Sequence, residues 1–474
     1  MVKARRSFFT SRLNRKICKS VVISGVFLYI VYMFLSSKSS NPKWRMIPDF
    51  TVNISTTTNI SHLFFGIAGA SNTWSKKKLY VETWWRPNVT RGLVFMDKSP
   101  VQNLPWPLSM YPPFRVSEDN SRYREYNKHA MPFVIRVARV IEETFKTDHD
   151  GGVIRWYVMA DDDTVFFIDN LVEVLSKYDH RKYFYIGMRS ESIVSNSLNS
   201  FEMAFGGGGY ALSYPLAKAV AQNMDLCIKR YPTVFGSDQL LQSCIADLGV
   251  SLTQEKGFHQ IDFHRDISGF LSAHPQSPLV SLHHFDAVDP IFPSMNRIES
   301  VNHLMKAAAV DQSRLLQQTI CYYNKNNWTF SVSWGYSVQI YEDIFPPSYL
   351  YRPLETFIPW KKGANPPYMF NTRPLPTDPC DAPHFFFFSS VDENRVMNHI
   401  VTTYKRGSPR WLPACVSNAS RSADHISKIR LLSPLMNRGW QDGDRRECCD
   451  VVHLVGMDSL AVKLRDCMND EIVA

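Results

Sequence analysis

Residues 151–171 read GGVIRWYVMADDDTVFFIDNL, and this stretch decides the fold. The apolar run in front of the aspartates has the length and composition of a buried strand. It stops at Asp161, Asp162 and Asp163, and residues 169–178 then have the spacing of a helix. A strand followed closely by a helix, with acidic side chains at the strand's carboxyl end, predicts an α/β fold. The sheet of such a fold is mostly parallel, and its ligands bind at that edge.

The same alternation continues on both sides of this stretch. Apolar runs at residues 62–70 and 92–98 predict two more strands, with a helix between them. Residues 131–147 carry apolar side chains at intervals of three and four positions, which indicates an amphipathic helix. A further strand is predicted at residues 182–187. These elements place an α/β domain at residues 61–300.

The carboxyl-terminal part has a different texture. Polar and apolar residues alternate at residues 331–344, and prolines cluster at residues 346–383. FFFFSS at residues 385–390 is too short to span a membrane and predicts a core strand instead. Alternation of this kind, interrupted by turn-forming residues, predicts a smaller β-rich accessory region over residues 301–474.

The amino-terminal leader carries the net charge of the chain. The whole sequence has 53 basic and 44 acidic residues, a net charge of +9. Residues 1–45 hold ten of the basic residues and no acidic ones, so the remaining 429 residues have 43 basic and 44 acidic residues, a net charge of −1. Because the basic charge belongs to the leader, we expect no nucleic-acid partner.

Residues 20–37 predict a membrane anchor. These 18 residues are uncharged, and as a helix they span about 27 Å, which matches the apolar core of a bilayer. Seven basic residues precede them, so the positive-inside rule leaves residues 1–19 in the cytosol and the rest of the chain on the other side. The alternative is a cleaved signal peptide, but no A-x-A site follows. The polar residues 38–60 read as a stem.

Two further features suit a secretory lumen. Five N-x-[ST] sequons begin at Asn53, Asn59, Asn88, Asn327 and Asn418, and each is a predicted glycosylation site. Eight of the nine cysteines follow the anchor, and an even number is compatible with disulfides. We therefore expect a single-pass type II membrane protein with its large part in the secretory lumen.

The aspartate triplet is the first candidate for chemistry. Three adjacent carboxylates repel one another unless a cation offsets their charge, and oxygen-rich sites suit Mn²⁺ or Mg²⁺ with a diphosphate as co-ligand. The alternative is a solvated acidic turn. Apolar residues on both sides of the triplet favour the metal site over that alternative.

Three later motifs each have a structural alternative. The glycines at residues 206–209 allow close approach to a ligand, although a hairpin or bulge is an equal reading. Asp238 stands just before an apolar helical stretch, as a helix N-cap, a general base, or both. His283 and His284 follow an apolar run, and on an extended segment at most one of them faces a given site.

Taken in order, these motifs carry a family resemblance. An anchor, a stem, YVMADDDT, a strand ending in IG, FGGGGYALS, an Asp at a helix start and LVSLHHFD occur in sequence. The chain resembles the Fringe-related inverting β1,3-glycosyltransferases, which include the core-1 β1,3-galactosyltransferases, and it is most similar to their plant branch. The resemblance covers about residues 61–290. It implies a GT-A fold, which is Rossmann-like with a mostly parallel central sheet.

The resemblance also implies roles for individual residues. Asp163 and His284 would bind Mn²⁺ or another divalent cation, with Asp161 as a further ligand, and Asp238 would be the catalytic base. Relatives often have a second acidic residue directly before the base, whereas this chain has Ser237. Contacts to the donor are implied for a second set of positions: Ala68, Asp97, Asp162, Gly207 and Gly208.

The implied activity is transfer of a hexose or N-acetylhexosamine from a UDP-sugar to a hydroxyl of a glycan or glycoprotein, forming a β1,3 linkage. The resemblance does not decide whether the chain forms homo-oligomers or hetero-oligomers. One alternative is a weak or inactive Golgi relative that binds a glycan or a partner protein, although such a protein has no need for Asp163, Asp238 and His284 together. Another is a metal-dependent phosphohydrolase, which the single acidic cluster disfavours.

Overall fold

A computed structural model describes the chain from residue 57 onwards with some gaps. The described residues are Tyr29, 57–125, 132–147, 153–394, Val396, 398–408, Arg410, 412–413, Cys415, 422–435, 445–453 and 458–473. Residues 1–56 and 57–474 are separate units, and the second is compact. The predicted cytosolic tail, membrane anchor and stem as far as residue 56 lie outside the described residues, apart from Tyr29. Within the described part, no helix is long and apolar enough to cross a membrane.

The described helices alternate with strands in the first half of the chain and become rare in the second half. The α-helices are α1 (Trp74–Trp84), α2 (Pro132–Thr147), α3 (Ile168–Ser176), α4 (Ile193–Leu198), α5 (Tyr214–Arg230), α6 (Ser237–Asp247), α7 (Ser268–Leu271), α8 (Arg297–Val310) and α9 (Pro347–Leu350).

The strands of the first half are short, and those of the second half are longer and closer together. They are β1 (Leu63–Gly69), β2 (Gly92–Met96), β3 (Phe114–Val116), β4 (Trp156–Asp161), β5 (Val165–Phe166), β6 (Tyr185–Gly187), β7 (Tyr210–Ser213), β8 (Leu252–Gln254), β9 (Phe258–His259), β10 (Phe263–Arg265), β11 (Ser281–Leu282), β12 (Gln318–Tyr323), β13 (Trp328–Ser333), β14 (Ser337–Tyr341), β15 (Phe357–Pro359), β16 (His384–Asn394), β17 (His399–Arg406), β18 (Lys428–Pro434), β19 (Cys448–His453) and β20 (Ser459–Arg465).

The central sheet has seven strands in the order β3-β2-β1-β4-β7-β6-β8. β1 pairs in parallel with β2 and β4, β2 with β3, and β6 with β8. The prediction of a parallel-rich α/β sheet is therefore confirmed. In the parallel register Ala68 lies opposite Asp161, so the ends of β1 and β4 meet at one edge of the sheet.

β7 is the exception in this sheet, because it is antiparallel to both β4 and β6. The glycines at residues 206–209 form the turn that leads into β7, and Gly209 has a φ of +82°, which suits glycine. At its other end β7 passes directly into α5 at Tyr214. The reversed strand places the glycine run at the same edge as the aspartates at the end of β4.

The carboxyl-terminal region is β-rich, as predicted. Its sheet has eight strands in the order β12-β13-β14-β16-β17-β18-β20-β19, and all neighbours are antiparallel except β18 and β20. The predicted core strand at residues 385–390 lies within β16.

The predicted division at residue 300 falls inside α8. A single apolar core contains buried side chains from both sides of this position, including Phe65 and Phe166 from the first part and Trp334 and Tyr404 from the second. The two halves therefore share their hydrophobic stabilisation, because burial of one half depends on the presence of the other.

All eight cysteines that follow the predicted anchor are paired. The disulfides join Cys227 to Cys244, Cys321 to Cys449, Cys380 to Cys415 and Cys448 to Cys467. Cys321 lies on β12 and Cys449 on β19, which are the first and last strands of the eight-stranded sheet. The sheet therefore curls until its two edges meet, and the disulfide fastens them.

Removal of this edge disulfide is expected to destabilise the chain strongly. The Cys321→Ala/Cys449→Ala double variant loses a cross-link that spans 128 residues, and we expect the free energy of unfolding to fall by about 2–5 kcal/mol. Thermal or urea unfolding measures the loss. The matched control is Cys380→Ala/Cys415→Ala, whose loop of 35 residues is shorter and should cost about 1 kcal/mol less. Equal melting of wild type and the first variant would contradict this expectation.

Candidate functional site

The aspartate triplet forms a tight turn at the end of β4. The Asp161 N–H donates to Thr164 Oγ1 at 3.1 Å, and the Thr164 N–H donates to the Asp161 carbonyl at 3.2 Å. Thr164 Oγ1 in turn donates to the Gly207 carbonyl at 2.7 Å, which ties the turn to the glycine run. Asp162 and Asp163 are buried, at 8% and 5% exposure, so the alternative of a solvated acidic turn is wrong.

Two aspartates and one histidine converge at this edge of the sheet. His283 Nε2 lies 3.1 Å from Asp163 Oδ1 and 4.0 Å from Asp161 Oδ2. One ligand atom from each of the three residues lies within 4.8 Å of the others. Asp163 and His283 are both buried, whereas the Asp161 side chain is 39% exposed and faces the cleft. The group therefore has an open side.

The histidine beside the carboxylates is His283, whereas the family resemblance implied His284. His284 has other partners: its Nδ1 lies 3.3 Å from Asp262 Oδ1, and its ring stacks on Trp360. A backbone φ of +54° at His284 breaks the regular alternation of an extended segment, so the two imidazole rings lie side by side with centroids 3.9 Å apart, and His283 is the one that reaches Asp163. Alternation indicated that one imidazole faces the site, but it did not indicate which one.

Lys77 is a site residue that sequence reasoning missed. Its ammonium forms a very short ion pair with Asp163 and lies 3.1 Å from Asp286 Oδ2. α1 buries Trp74, Tyr80, Val81 and Trp84, and position 77 falls on that same face of the helix. This spacing is the signal that distinguishes Lys77 from its lysine neighbours in the sequence SKKKL.

The electrostatics of the triplet match a site built for a cation. Desolvation by the surrounding protein, followed by repulsion from the neighbouring carboxylates, raises the pKa of Asp161 well above its usual value. Burial raises the pKa of Asp162 to about 7. Burial also acts to raise the pKa of Asp163, but His283 and Lys77 outweigh it and hold that pKa below its usual range. The clustered negative charge is therefore only partly compensated by this chain's own basic groups.

The donor set fits a divalent cation. Carboxylate oxygens and an imidazole nitrogen are accepted ligands of Mn²⁺ and related ions. The imidazole would contribute Nε2, which faces both carboxylates, while its other ring nitrogen, Nδ1, is buried without a hydrogen-bond partner among the residues described. A cation at this group would satisfy the carboxylates and use the imidazole.

Two other groups of ligand-type side chains have structural explanations. Cys448 and Cys467, which lie near Glu471, are joined in a disulfide. In the other group, Glu342 lies near His384 and Asp424. Glu342 accepts from Ser422 Oγ at 2.7 Å and from the Ala423 N–H at 2.8 Å, in addition to its contact with His384. Its oxygens therefore already have partners.

The glycine run separates the histidine from a third carboxylate. The Gly206 N–H donates to Asp238 Oδ2 at 2.9 Å, and a Cβ added at Gly206 would lie 2.7 Å from Asp238 Oδ1. A Cβ at Gly207 would lie 2.1 Å from Cε1 of His283. Any side chain at either position would collide with a candidate site residue, which explains why glycine occupies both. Gly208 donates its N–H to Gln260 Oε1 at 2.7 Å.

Asp238 lies in the first turn of α6, and the N-cap of that helix is Gly236. The alternative of Ser237 or Asp238 as the N-cap is therefore wrong. Burial raises the pKa of Asp238 to about 6, although the Gly206 amide favours the ionised form. Asp238 shares a cleft with Ala68, Asp161 and Tyr210. A carboxylate of raised pKa beside a cleft is a suitable proton acceptor.

The predicted donor-side residues meet at the loop between β1 and α1. Asp97 follows β2 and accepts the Ser71 N–H at 2.7 Å. Asp162 accepts the Ala70 N–H at 3.3 Å. Burial acts to raise the pKa of Asp97, but hydrogen bonding from Ser71 and the charge of Arg136 outweigh it and lower that pKa. Asp97 and Asp162 therefore hold this loop in place at the edge of the sheet, next to Ala68 near the end of β1.

The predicted glycosylation sites fall into two groups. Asn59, Asn88 and Asn327 are exposed. Asn88 and Asn327 have φ values of +63° and +57°, which are typical of asparagine at a turn. Asn53 and Asn418 lie outside the described residues.

Comparison with known proteins gives a family and a partial similarity to enzymes. A family model described as "Protein of unknown function, DUF604" matches residues 195–449, which is more than half of the chain. A β-1,3-glucosyltransferase from Mus musculus is 30% identical over 147 residues, which are 30% of this chain and 28% of that protein. A β-1,3-glucosyltransferase from Homo sapiens is 29% identical over 139 residues, which are 29% of this chain and 26% of that protein. The similarity thus spans about a quarter of the length of either relative.

Proposed function

The chain belongs to the DUF604 family, and from that premise and the site described above we propose that it is a metal-dependent inverting glycosyltransferase. It transfers a hexose or N-acetylhexosamine from a UDP-sugar to a hydroxyl of a glycan or glycoprotein, with a β1,3 linkage as the product. The similarity to two β-1,3-glucosyltransferases supports this reaction class. The parallel-rich sheet with acidic groups at its edge supports a GT-A fold, and the sequence motifs are the basis for proposing the plant branch of the Fringe-related enzymes.

One observation carries the proposal. Asp161, Asp163 and His283 converge beside a cleft, and Asp238 lines the same cleft from the other side of the glycine run. A glycan-binding protein without activity has no use for a cation site and a half-buried carboxylate of raised pKa at one edge. The convergence therefore favours an enzyme over a binding protein.

The proposed mechanism is a single displacement. Asp161, Asp163 and His283 would hold a divalent cation, which would supply charge neutralisation to the diphosphate of the leaving group. The Asp238 carboxylate takes the proton from an acceptor hydroxyl as that oxygen bonds to C1 of the donor sugar. The bond from C1 to the UDP oxygen breaks on the opposite face, so the anomeric centre inverts and UDP leaves with the bonding electron pair.

Lys77 and the Gly206 N–H would assist the proposed transfer reaction. Lys77, held between Asp163 and Asp286, is placed to meet the negative charge of a bound diphosphate. The Gly206 N–H orients the Asp238 carboxylate by donating to Oδ2 at 2.9 Å, whereas Oδ1 accepts only a longer hydrogen bond of 3.5 Å from Ser237 Oγ, so Oδ1 is the oxygen that we assign to the acceptor hydroxyl.

The cellular setting is also part of the proposal. We place the chain in the Golgi membrane as a single-pass type II protein anchored through residues 20–37. Four disulfides support an oxidising compartment for residues 57–474. The exposed Asn59, Asn88 and Asn327 are the glycosylation sites that we expect to be used first.

A donor screen tests the function. The full-length protein is incubated with a panel of UDP-sugars, with and without Mn²⁺, and release of UDP is measured. UDP-glucose is the first donor to test, because the two similar proteins are glucosyltransferases. We expect release of UDP that needs both Mn²⁺ and Asp163, so the Asp163→Ala variant is the matched control. A folded wild type that releases no UDP from any donor would favour the binding-protein alternative.

Gly207→Ala should weaken metal binding and leave the fold intact. The added methyl group overlaps the His283 ring, which is the movable end of a side chain, so the ring swings away from Asp163 while the backbone stays. We expect Mn²⁺ affinity to fall about 10–100-fold, as it does when the support of a ligand is lost, with a small change in melting temperature. The control is Gly236→Ala, whose added Cβ has no neighbour closer than 3.6 Å. Unchanged Mn²⁺ affinity in Gly207→Ala would contradict the role of His283.

A further inference from the structure

A stack of aromatic rings leads from the carboxyl-terminal region to the candidate metal group. Trp360 stacks on His284 with ring centroids 4.6 Å apart and planes 4° from parallel. His264 also stacks on Trp360, at 4.6 Å and 15°. The rings of His284 and His283 are 3.9 Å apart. The four rings, named here the His–Trp stack, are His264, Trp360, His284 and His283.

Backbone contacts hold Trp360 beside β10. It directly follows β15, which pairs with β10 so that His264 lies opposite Ile358. The Trp360 N–H donates to the Asp262 carbonyl at 3.1 Å. These contacts hold the indole ring against β10, which belongs to the first half of the chain.

Asp262 adds a polar clamp to the stack. Its Oδ1 lies 3.3 Å from His284 Nδ1, and its Oδ2 accepts from Ser190 Oγ at 2.6 Å. Asp262 is buried, at 4% exposure. The His284 ring is therefore fixed in its plane by Asp262 and on its face by Trp360.

The backbone around the stack is strained. Ile261, Arg265 and His284 all have positive φ values, of 54°, 69° and 54°. Left-handed backbone at residues other than glycine and asparagine persists only where the surrounding structure determines it, and it clusters at functional sites. In this region the contacts that determine it include the pairing of β10 with β15 and the His–Trp stack.

We propose that Trp360 is a positioning residue for the metal ligand His283. This inference rests on the proposed function, because it assumes that His283 binds a cation. Trp360 lies outside the reacting groups and acts through His284, whose ring packs on that of His283. The accessory region thereby completes the active site instead of only stabilising the fold, and its role is to hold the imidazole at the distance from Asp163 that a cation needs.

The test measures Mn²⁺ affinity directly, by isothermal titration calorimetry on the full-length protein, and uses activity only as a second readout. W360A removes the stack and should weaken Mn²⁺ binding about tenfold or more, as expected when the support of a ligand is lost. W360F keeps an aromatic face and should restore most of the affinity. Ile358→Ala, an exposed position two residues earlier on β15, is the matched control and should bind Mn²⁺ like wild type.

The outcomes are distinguishable. A W360A protein that melts like wild type and binds Mn²⁺ equally well overturns the positioning role and leaves the proposed function intact. Equal losses of Mn²⁺ affinity in W360A and W360F would show that aromatic stacking is not the cause of the loss.

If W360A does not fold, His264→Ala replaces it, because that variant keeps Trp360 and removes the ring that supports one of its faces. A reduced Mn²⁺ affinity in H264A supports the proposal, and an unchanged affinity overturns it. A folded wild type that binds no Mn²⁺ is a failure of the proposed metal site itself, visible before any variant is compared.

Discussion

Replacement of Asp238 by asparagine is expected to lower the turnover number by about 10²–10⁴-fold while UDP and Mn²⁺ still bind. Asparagine keeps the size of the side chain and its hydrogen bond from the Gly206 N–H, but it cannot take a proton from the acceptor hydroxyl. The metal group at Asp161, Asp163 and His283 lies across the glycine run and is untouched. Steady-state kinetics with the best donor of the screen measures the loss.

The pH dependence of the same reaction provides an independent check. Burial raises the pKa of Asp238 to about 6, and the base is active only as the carboxylate. The value of kcat/KM should therefore be constant above that pKa and fall as the pH drops through about 6. At saturating Mn²⁺, which keeps the carboxylates of the metal site ionised, Asp238→Asn should lose this acid limb along with its rate. Near-full transfer by the variant, or an unchanged acid limb in its residual activity, would exclude Asp238 as the base.

His283→Ala is expected to abolish Mn²⁺-dependent transfer and to reduce Mn²⁺ affinity at least about 100-fold. His283 is the imidazole that reaches Asp163, at 3.1 Å, and it is buried where no other side chain described by the structure replaces it as a nitrogen ligand. Loss of one ligand from a set of three leaves only the two carboxylates to bind the cation, with Lys77 as the remaining basic group beside Asp163. Calorimetry with Mn²⁺ measures the affinity.

His284→Ala is the matched control, because it removes the neighbouring imidazole instead. We expect it to weaken Mn²⁺ binding less than His283→Ala, since His284 contacts Asp262 and Trp360 and only supports the ligand. A larger loss of Mn²⁺ affinity in His284→Ala than in His283→Ala would identify His284 as the ligand, as the family resemblance implied, and would contradict the assignment of His283.

Much of the fold follows from periodicity. The first two strands, α1, α2 and β4 lie within the predicted segments, because each buries a face or a whole strand and therefore has an apolar pattern. β3 and β7, of three and four residues, were not predicted, because β3 follows a proline-rich loop and β7 follows the glycine run. The reversed direction of β7 depends on a glycine turn whose purpose becomes clear only beside Asp238 and His283.

The site was less predictable than the fold because it depends on single backbone angles and single rotamers. The triplet and Asp238 were found, since acidic residues at a strand end and at a helix start have recognisable contexts. The choice between His283 and His284 depends on the φ of +54° at His284, which no local pattern encodes. Lys77 was readable in principle, because it shares the buried face of α1, but a lysine is normally placed at the surface.

The shared core also corrects the separation of the chain into a catalytic part and an accessory part. Trp334 and Tyr404 pack in the same core as Phe65, and Trp360 reaches the histidines of the first half. Sequence texture changes near residue 300 because the chain passes from α/β to antiparallel β structure. A change of secondary structure does not by itself mark the end of a folding unit.

The glycines at positions 206 and 207 make the polypeptide backbone itself a spacer of fixed thickness. The Asp238 side chain lies against Gly206 and the His283 ring against Gly207, and neither glycine has a Cβ that would separate the side chain from the backbone. Side chains elsewhere in a protein can drift by rotamer changes, whereas a peptide unit is planar and nearly incompressible. A peptide unit of fixed dimensions therefore contributes to the separation between the proton acceptor and the cation site, while contacts such as the His–Trp stack keep His283 in place beside it.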